Sequence, residues 1–156
     1  MEESANPERT ANDGNSGRVI ALDYGRARIG VAASDPTRFL ASPHSVIANR
    51  APPTRPPSAL LDVILQLRPL EIVIGIPLNM DGSRGEMADE ASEFGRALGQ
   101  TTGVPVIEWD ERLSTVRAER TLRDAARRRQ TQRDADRTDA VAAAHTLQGY
   151  LDRSVS

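Results

Sequence analysis

Cysteine is absent from this chain, which excludes a disulfide framework, thiol catalysis and a cysteine zinc site. Lysine is absent as well, so its basic residues are all arginine. Aromatic residues make up only 3% of the chain. Its single tryptophan, Trp109, has no aromatic cluster around it and reads as core rather than as a platform for stacked bases. No apolar run approaches the length of a membrane span, and the N-terminus lacks an apolar signal-peptide core. These absences predict a soluble, cytoplasmic protein with no membrane partner. At 156 residues it is long enough for one domain with a sizeable core.

The net charge of −2 hides an uneven distribution. Residues 1–17 hold four acids against Arg9 and are rich in Asn, Ser, Gly and Pro, which predicts a disordered acidic tail ahead of one domain at 18–153. Residues 112–137 hold nine arginines against four acids. Such an excess beside carboxylates suits a polyanionic substrate. A solvated helix laced with ion pairs is the plain alternative.

Short apolar runs alternate with helical patterns. Val19–Leu22 and Ile29–Ala33 read as strands, joined through Gly25 into a hairpin. A third strand is expected over Ser42–Ile47, although Pro43 weakens the pattern. Ala51–Pro57 is a stiff proline-rich loop. Ser58 is the expected N-cap of a helix carrying Leu60, Leu61, Ile64 and Leu67. Glu71–Gly75 is a buried strand. Ser83 and Glu86 have capping-box spacing before a helix that buries Met87, Ala91, Phe94 and Leu98 and stops at Gly99. Val104–Trp109 is the last strand. Ser114 or Thr115 then caps a helix with Ala118, Leu122, Ala125 and Ala126 on its packed face. A basic loop extends to Arg137, and a final helix runs from Thr138 to Leu151. The order predicts an α/β mixed sheet with helices on both faces.

Three carboxylates fall where such a sheet gathers its ligands. Asp23 ends the first strand, Glu111 follows the last, and Asp139 lies in the final helix on the face of Ala142, Ala143, Thr146 and Tyr150. Converging carboxylates repel one another, and a hard cation such as Mg²⁺ or Mn²⁺ removes the conflict. Taken singly, each has a duller role: Asp23 in a turn, Glu111 paired with Arg112 or Arg117, Asp139 facing the helix dipole. Asn79, in the loop beside the same edge, is a candidate for holding substrate or a metal-bound water. Asp81-Gly82 reads as a turn, and His44 and His145 have no partner at ligand spacing.

Four motifs in register carry a family resemblance. They are Leu22-Asp23-Tyr24-Gly25 with Arg28–Ala32, Ile74–Gly82, Trp109–Val116, and Asp139–Ala143 with Leu147–Leu151. Over residues 18–151 the chain resembles the YqgF-type, RuvX-like family, described as Holliday junction resolvases and as pre-16S rRNA nucleases. That resemblance implies a ribonuclease H-like five-stranded sheet with its first three strands antiparallel. It implies a Mg²⁺- or Mn²⁺-dependent nuclease whose acids are Asp23, Glu111 and Asp139, with Asp110 the alternative to Glu111. The expected substrate is structured nucleic acid: precursor rRNA trimmed at its 5′ end, or branched DNA. A non-catalytic RNA-binding factor is the remaining alternative. Arg26, Arg28, Asn79, Arg112, Ser114 and Thr115 are the expected substrate contacts, and the chain is expected to be a monomer or a weak homodimer. The acidic tail and the proline-rich loop fall outside the family pattern.

Overall fold

The computed structural model describes residues 16–113 and 132–154. Its strands are the apolar runs of the sequence: β1 (Val19–Tyr24), β2 (Arg28–Ser34), β3 (Ala41–Ala48), β4 (Glu71–Ile76) and β5 (Val106–Asp110). Helix α1 (Ser58–Leu67) leads into β4, α2 (Glu86–Thr102) leads into β5, and α3 (Gln132–Ser154) closes the fold. One five-stranded sheet results, in the order β3-β2-β1-β4-β5. The first three strands are antiparallel, and β4 and β5 are added in parallel. A hairpin permits the first pairing, whereas a helical crossover returns the chain to the same edge and dictates the second. This is the mixed ribonuclease H-like sheet expected from the sequence.

Strand periodicity sorts the side chains into two layers. Ile20, Leu22 and Tyr24 face α1 and α2, packing with Leu60, Ile64, Phe94 and Leu98. Val19 and Ala21 face α3, packing with Ala32, Val73, Ala143, Leu147 and Leu151. Each fully buried leucine or phenylalanine contributes about 1.5–3 kcal/mol. The α3 layer is built of smaller residues, so the helix lies close to the sheet. At Gly30 it comes so close that an added Cβ would sit 2.2 Å from the Asp139 carbonyl oxygen.

Polar contacts fix α3 along its length. The Ala41 N–H donates to Gln148 Oε1 at 2.9 Å. The Tyr150 hydroxyl donates to Glu71 Oε2 at 2.6 Å, and its ring stands edge-on to Trp109 with centroids 5.5 Å apart. Burial, together with Glu71, pushes the Tyr150 hydroxyl up to about 12. Trp109 is thus half-buried and packs against the core, although it does have an aromatic neighbour in Tyr150.

Four local expectations need correction. Ser58 is the first residue of α1, and the N-cap is Pro57, whose fixed φ of −62° already suits a helix entry. No capping box forms at α2, whose N-cap is Gly85 without a side-chain bond. The Ser83 hydroxyl turns back instead and donates to Asp81 Oδ1 at 2.6 Å. Gly99 does not stop α2, which runs on to Gly103 at φ 75°; Gly99 is where Val106 packs against the helix. Finally, α3 begins at Gln132 rather than Thr138, so part of the expected basic loop is helical. Gln, Arg and Ala are good helix formers, and the packed half of the same helix pays their ordering cost. The predicted helix at 114–126, the rest of the basic loop and most of the acidic tail lie outside the described residues. Among those described, no helix is long and apolar enough to cross a membrane.

Two outcomes are expected. Gly30→Ala should destabilise the fold by at least about 3 kcal/mol in chemical denaturation, the upper end for overpacking, because backbone must move. Gly99→Ala, whose methyl would meet Val106 at an ordinary 3.4 Å, should stay within about 1 kcal/mol of the parent. Separately, a raised tyrosine pKa contributes stability below the unfolded value near 10 and loses it as pH rises toward 12. Tyr150→Phe should therefore flatten the fall in thermal midpoint between those pH values.

Candidate active site

The face of the sheet that receives α3 also receives the acids. In β1, Asp23 follows Val19 and Ala21 on that side. Its antiparallel partner is Gly30, and the rung after Leu22–Ile74 sets Gly75 on its other flank. Both neighbours lack a side chain, and each space is used. The α3 backbone at Asp139 lies over Gly30, and the Glu111 side chain lies over Gly75, where an added Cβ would meet Glu111 Cγ at 3.0 Å. Asp23, Glu111 and Asp139 are only 7%, 5% and 2% exposed, which is rare for carboxylates unless they have been given partners.

Asp139 reaches this face because α3 repeats every four residues. Asp139, Ala143, Leu147 and Leu151 form one stripe, and all four are buried. Since α3 starts at Gln132, Asp139 lies beyond the first turn, so the helix dipole does not account for it. Its partner is Arg28, whose Nε donates to Asp139 Oδ2 at 2.7 Å, with the two side chains 19% and 3% exposed. Arg28 was expected at a phosphate; here it supplies positive charge to a buried acid.

The other expected substrate contacts also hold the rim together. Arg112 grips Asp110 with two nitrogens, Nε to Oδ1 at 3.0 Å and NH2 to Oδ2 at 2.7 Å. The hydrogen bonds from Arg112 hold the Asp110 carboxyl below its ordinary range. Arg112 NH1 also donates to the Met80 carbonyl at 3.0 Å, tying the loop after β4 to the end of β5. Asn79 Nδ2 donates to Ser83 Oγ at 2.9 Å inside that loop. Asp81 makes the expected turn beside Gly82, which has φ 87°, and hydrogen bonds from Ser83 lower its pKa. Arg26 pairs with Glu90 and, at 3.3 Å, with Glu86. Ser114 and Thr115 lie outside the described residues.

Adjacent residues thus part company at the end of β5. Asp110 turns to Arg112 and the loop, and Glu111 turns inward over Gly75. Sequence reasoning missed Gly30 and Gly75 as the spaces that admit Asp139 and Glu111, and Asn49 as the clamp on the hairpin. Asn49 is 3% exposed and donates from Nδ2 to the Gly25 carbonyl at 2.8 Å. Glycine inside an apolar strand was the available signal for a close approach. Among the described residues, no group of three His, Cys, Asp or Glu side chains is drawn together as a ready metal site. The donor set offered on the face is all oxygen, the chemistry that hard divalent cations prefer.

The Arg28–Asp139 pair gives a direct test. Arg28→Met should cost about 3 kcal/mol in urea denaturation, since it strands a buried carboxylate. Adding Asp139→Asn should recover most of that loss, giving a double-mutant coupling above about 1 kcal/mol.

Comparison with known proteins shows the family of this chain. A family model described as RuvX, Holliday junction resolvase, matches residues 17–153. A Paracoccus denitrificans protein named "Putative pre-16S rRNA nuclease" is 45% identical over 138 residues, covering 88% of this chain and 85% of that one. An Anaeromyxobacter protein of the same name is 46% identical over 138 residues, covering 86% of this chain and 96% of its own. Among solved structures, T. thermophilus RuvC in complex with Holliday junction substrate aligns over 89% of this chain and 96% of its own, with a TM-score of 0.52 and 17% identity. That likeness speaks for the ribonuclease H-like fold alone. With a model match across nearly the whole described domain and relatives above 40% identity, the chain belongs to the RuvX family.

Proposed function

We propose that this protein is a divalent-metal-dependent endonuclease that trims the 5′ end of the small-subunit ribosomal RNA precursor in the cytoplasm, acting as a monomer or weak homodimer. The observation that carries the reading is the burial of Asp23, Glu111 and Asp139 on one face, two of them seated over glycines that flank the first. Mg²⁺ or Mn²⁺ would be held by these three carboxylates. When bound, such an ion activates a water and stabilises the leaving oxygen of a phosphodiester.

The chain's own residues do the positioning. Arg28 pairs with the Asp139 carboxylate and fixes its place beside the sheet. Arg112 locks the loop carrying Asn79 against the end of β5, next to Glu111. Arg26 and Arg28 flank the hairpin at the rim, where a phosphate backbone would pass. The names of the relatives favour RNA as substrate. The family model's description favours a second reading, a DNA junction resolvase with the same chemistry. A resolvase needs a two-fold dimer to cut symmetrically, so cleavage of a precursor rRNA fragment against a four-way DNA junction, with mass measured in solution, separates the two.

Asp23→Asn, Glu111→Gln and Asp139→Asn should each lower cleavage by at least about 100-fold, more than loss of a supporting hydrogen bond costs at a metal site. Asp110→Asn, which changes a carboxylate committed to Arg112, should retain most activity. Asp23→Asn should leave the metal-free thermal midpoint unchanged or higher, because a buried charge is replaced by a neutral side chain of the same shape. Full cleavage by Asp23→Asn would leave the RNA-binding role without catalysis as the better account.

A further inference from the structure

A cavity of about 690 Å³ opens beside the acids, on the hairpin side of the sheet. Its size lies within the range of roughly 300–1,000 Å³ typical of small-ligand sites. Arg26, Arg28 and Arg50 line it together with Val46, Ala48 and Asn49, and among the described residues no acidic side chain does. The register shows why it sits there. Arg28 pairs with Ala48 and Gly30 with Val46 across β2 and β3, and Gly30 pairs with Asp23 across β1. Val46 is therefore two strands from Asp23 on the same rung, a distance of about 10 Å.

The lining has two chemical parts. Val46 and Ala48 offer a small apolar floor, and three arginines contribute to the lining beside it. Arg28 and Arg26 are engaged with Asp139 and with Glu90 and Glu86. Arg50, which is exposed, has no such acid beside it among the described residues. An apolar floor beside arginines fits neither a metal nor a neutral metabolite. It fits a nucleotide, whose base prefers a planar or apolar surface and whose phosphate prefers a guanidinium. A concavity of this volume accepts one base turned out of the stack.

We propose that this cavity holds an unpaired nucleotide of the substrate strand close to the cleaved bond, with its base on Val46 and Ala48 and its phosphate at Arg50. The inference rests on the nuclease reading above and adds to it that the enzyme selects a junction between duplex and single strand. Arg28 belongs to both places, so occupation of the cavity and placement of Asp139 are joined through one side chain.

Binding measured without cleavage tests this. In an Asp23→Asn background, fluorescence anisotropy compares a short RNA hairpin carrying single-stranded tails at both ends with the same hairpin made blunt. The parent should prefer the tailed RNA by roughly tenfold or more, the size of one stacked base. Arg50→Ala should remove most of that preference. Ala48→Glu should do the same by placing a carboxylate among the arginines, and both positions are exposed, so an unchanged thermal midpoint should verify folding. Affinity for the blunt hairpin should change less than threefold. A preference that survives both substitutions overturns the cavity's role and leaves the nuclease reading standing. A parent that binds neither RNA overturns both.

Discussion

The distance between α3 and β2 governs the candidate site. At Gly30 there is no room for a methyl group, since it would lie 2.2 Å from the Asp139 carbonyl oxygen. That contact decides how deep the helix sits, and thereby whether its carboxylate shares a face with Asp23 and Glu111. The small side chains of the layer, Ala21, Ala32 and Ala143, serve the same end by keeping the helix low on the sheet. Interiors pack densely, so such a contact cannot be relaxed by half an ångström without consequences along the helix. The bonds from Gln148 and Tyr150 fix the other end and prevent α3 from pivoting about Gly30.

Arginine is used here as a fastener. Arg28 neutralises a buried acid, Arg112 staples a loop to a strand end, and Arg26 joins the hairpin to α2. A guanidinium presents several donors in a fixed plane, so Arg112 and Arg26 each hold more than one group. Among the described residues, the rim around the acids is tied together by these bonds. Arg50 stands apart from that framework, exposed and lining the cavity.

The end of β5 shows how neighbouring acids acquire different roles. Asp110 is the last strand residue and Glu111 opens a short 3₁₀ turn, so their side chains leave in different directions. Asp110 meets Arg112 at once, and its carboxyl is held ionised at the surface of the loop. Glu111 enters the space left by Gly75 and is buried. The pair Asp-Glu in a linear sequence carries no sign of this division.

Much of the fold was legible from residue order. Short apolar runs marked the strands, helices between the later strands required parallel pairing, and the stripe from Asp139 through Ala142, Ala143 and Thr146 marked the buried face of α3. The candidate acids were legible as strand-end and helix-face positions because those depend on local period alone. Helix ends were read less well, since Ser58, Ser83 and Gly99 suit caps chemically but were given other work by Pro57, Asp81 and Val106. Partner choice was beyond reach: Arg28 and Asp139 are 111 residues apart, and only the sheet register and the depth of α3 bring them together. The sequence determined which side chains face the interior, because alternation and helical repeat are properties of the chain itself. Tertiary structure decided what each one meets there, because that depends on where a glycine lets two backbones touch.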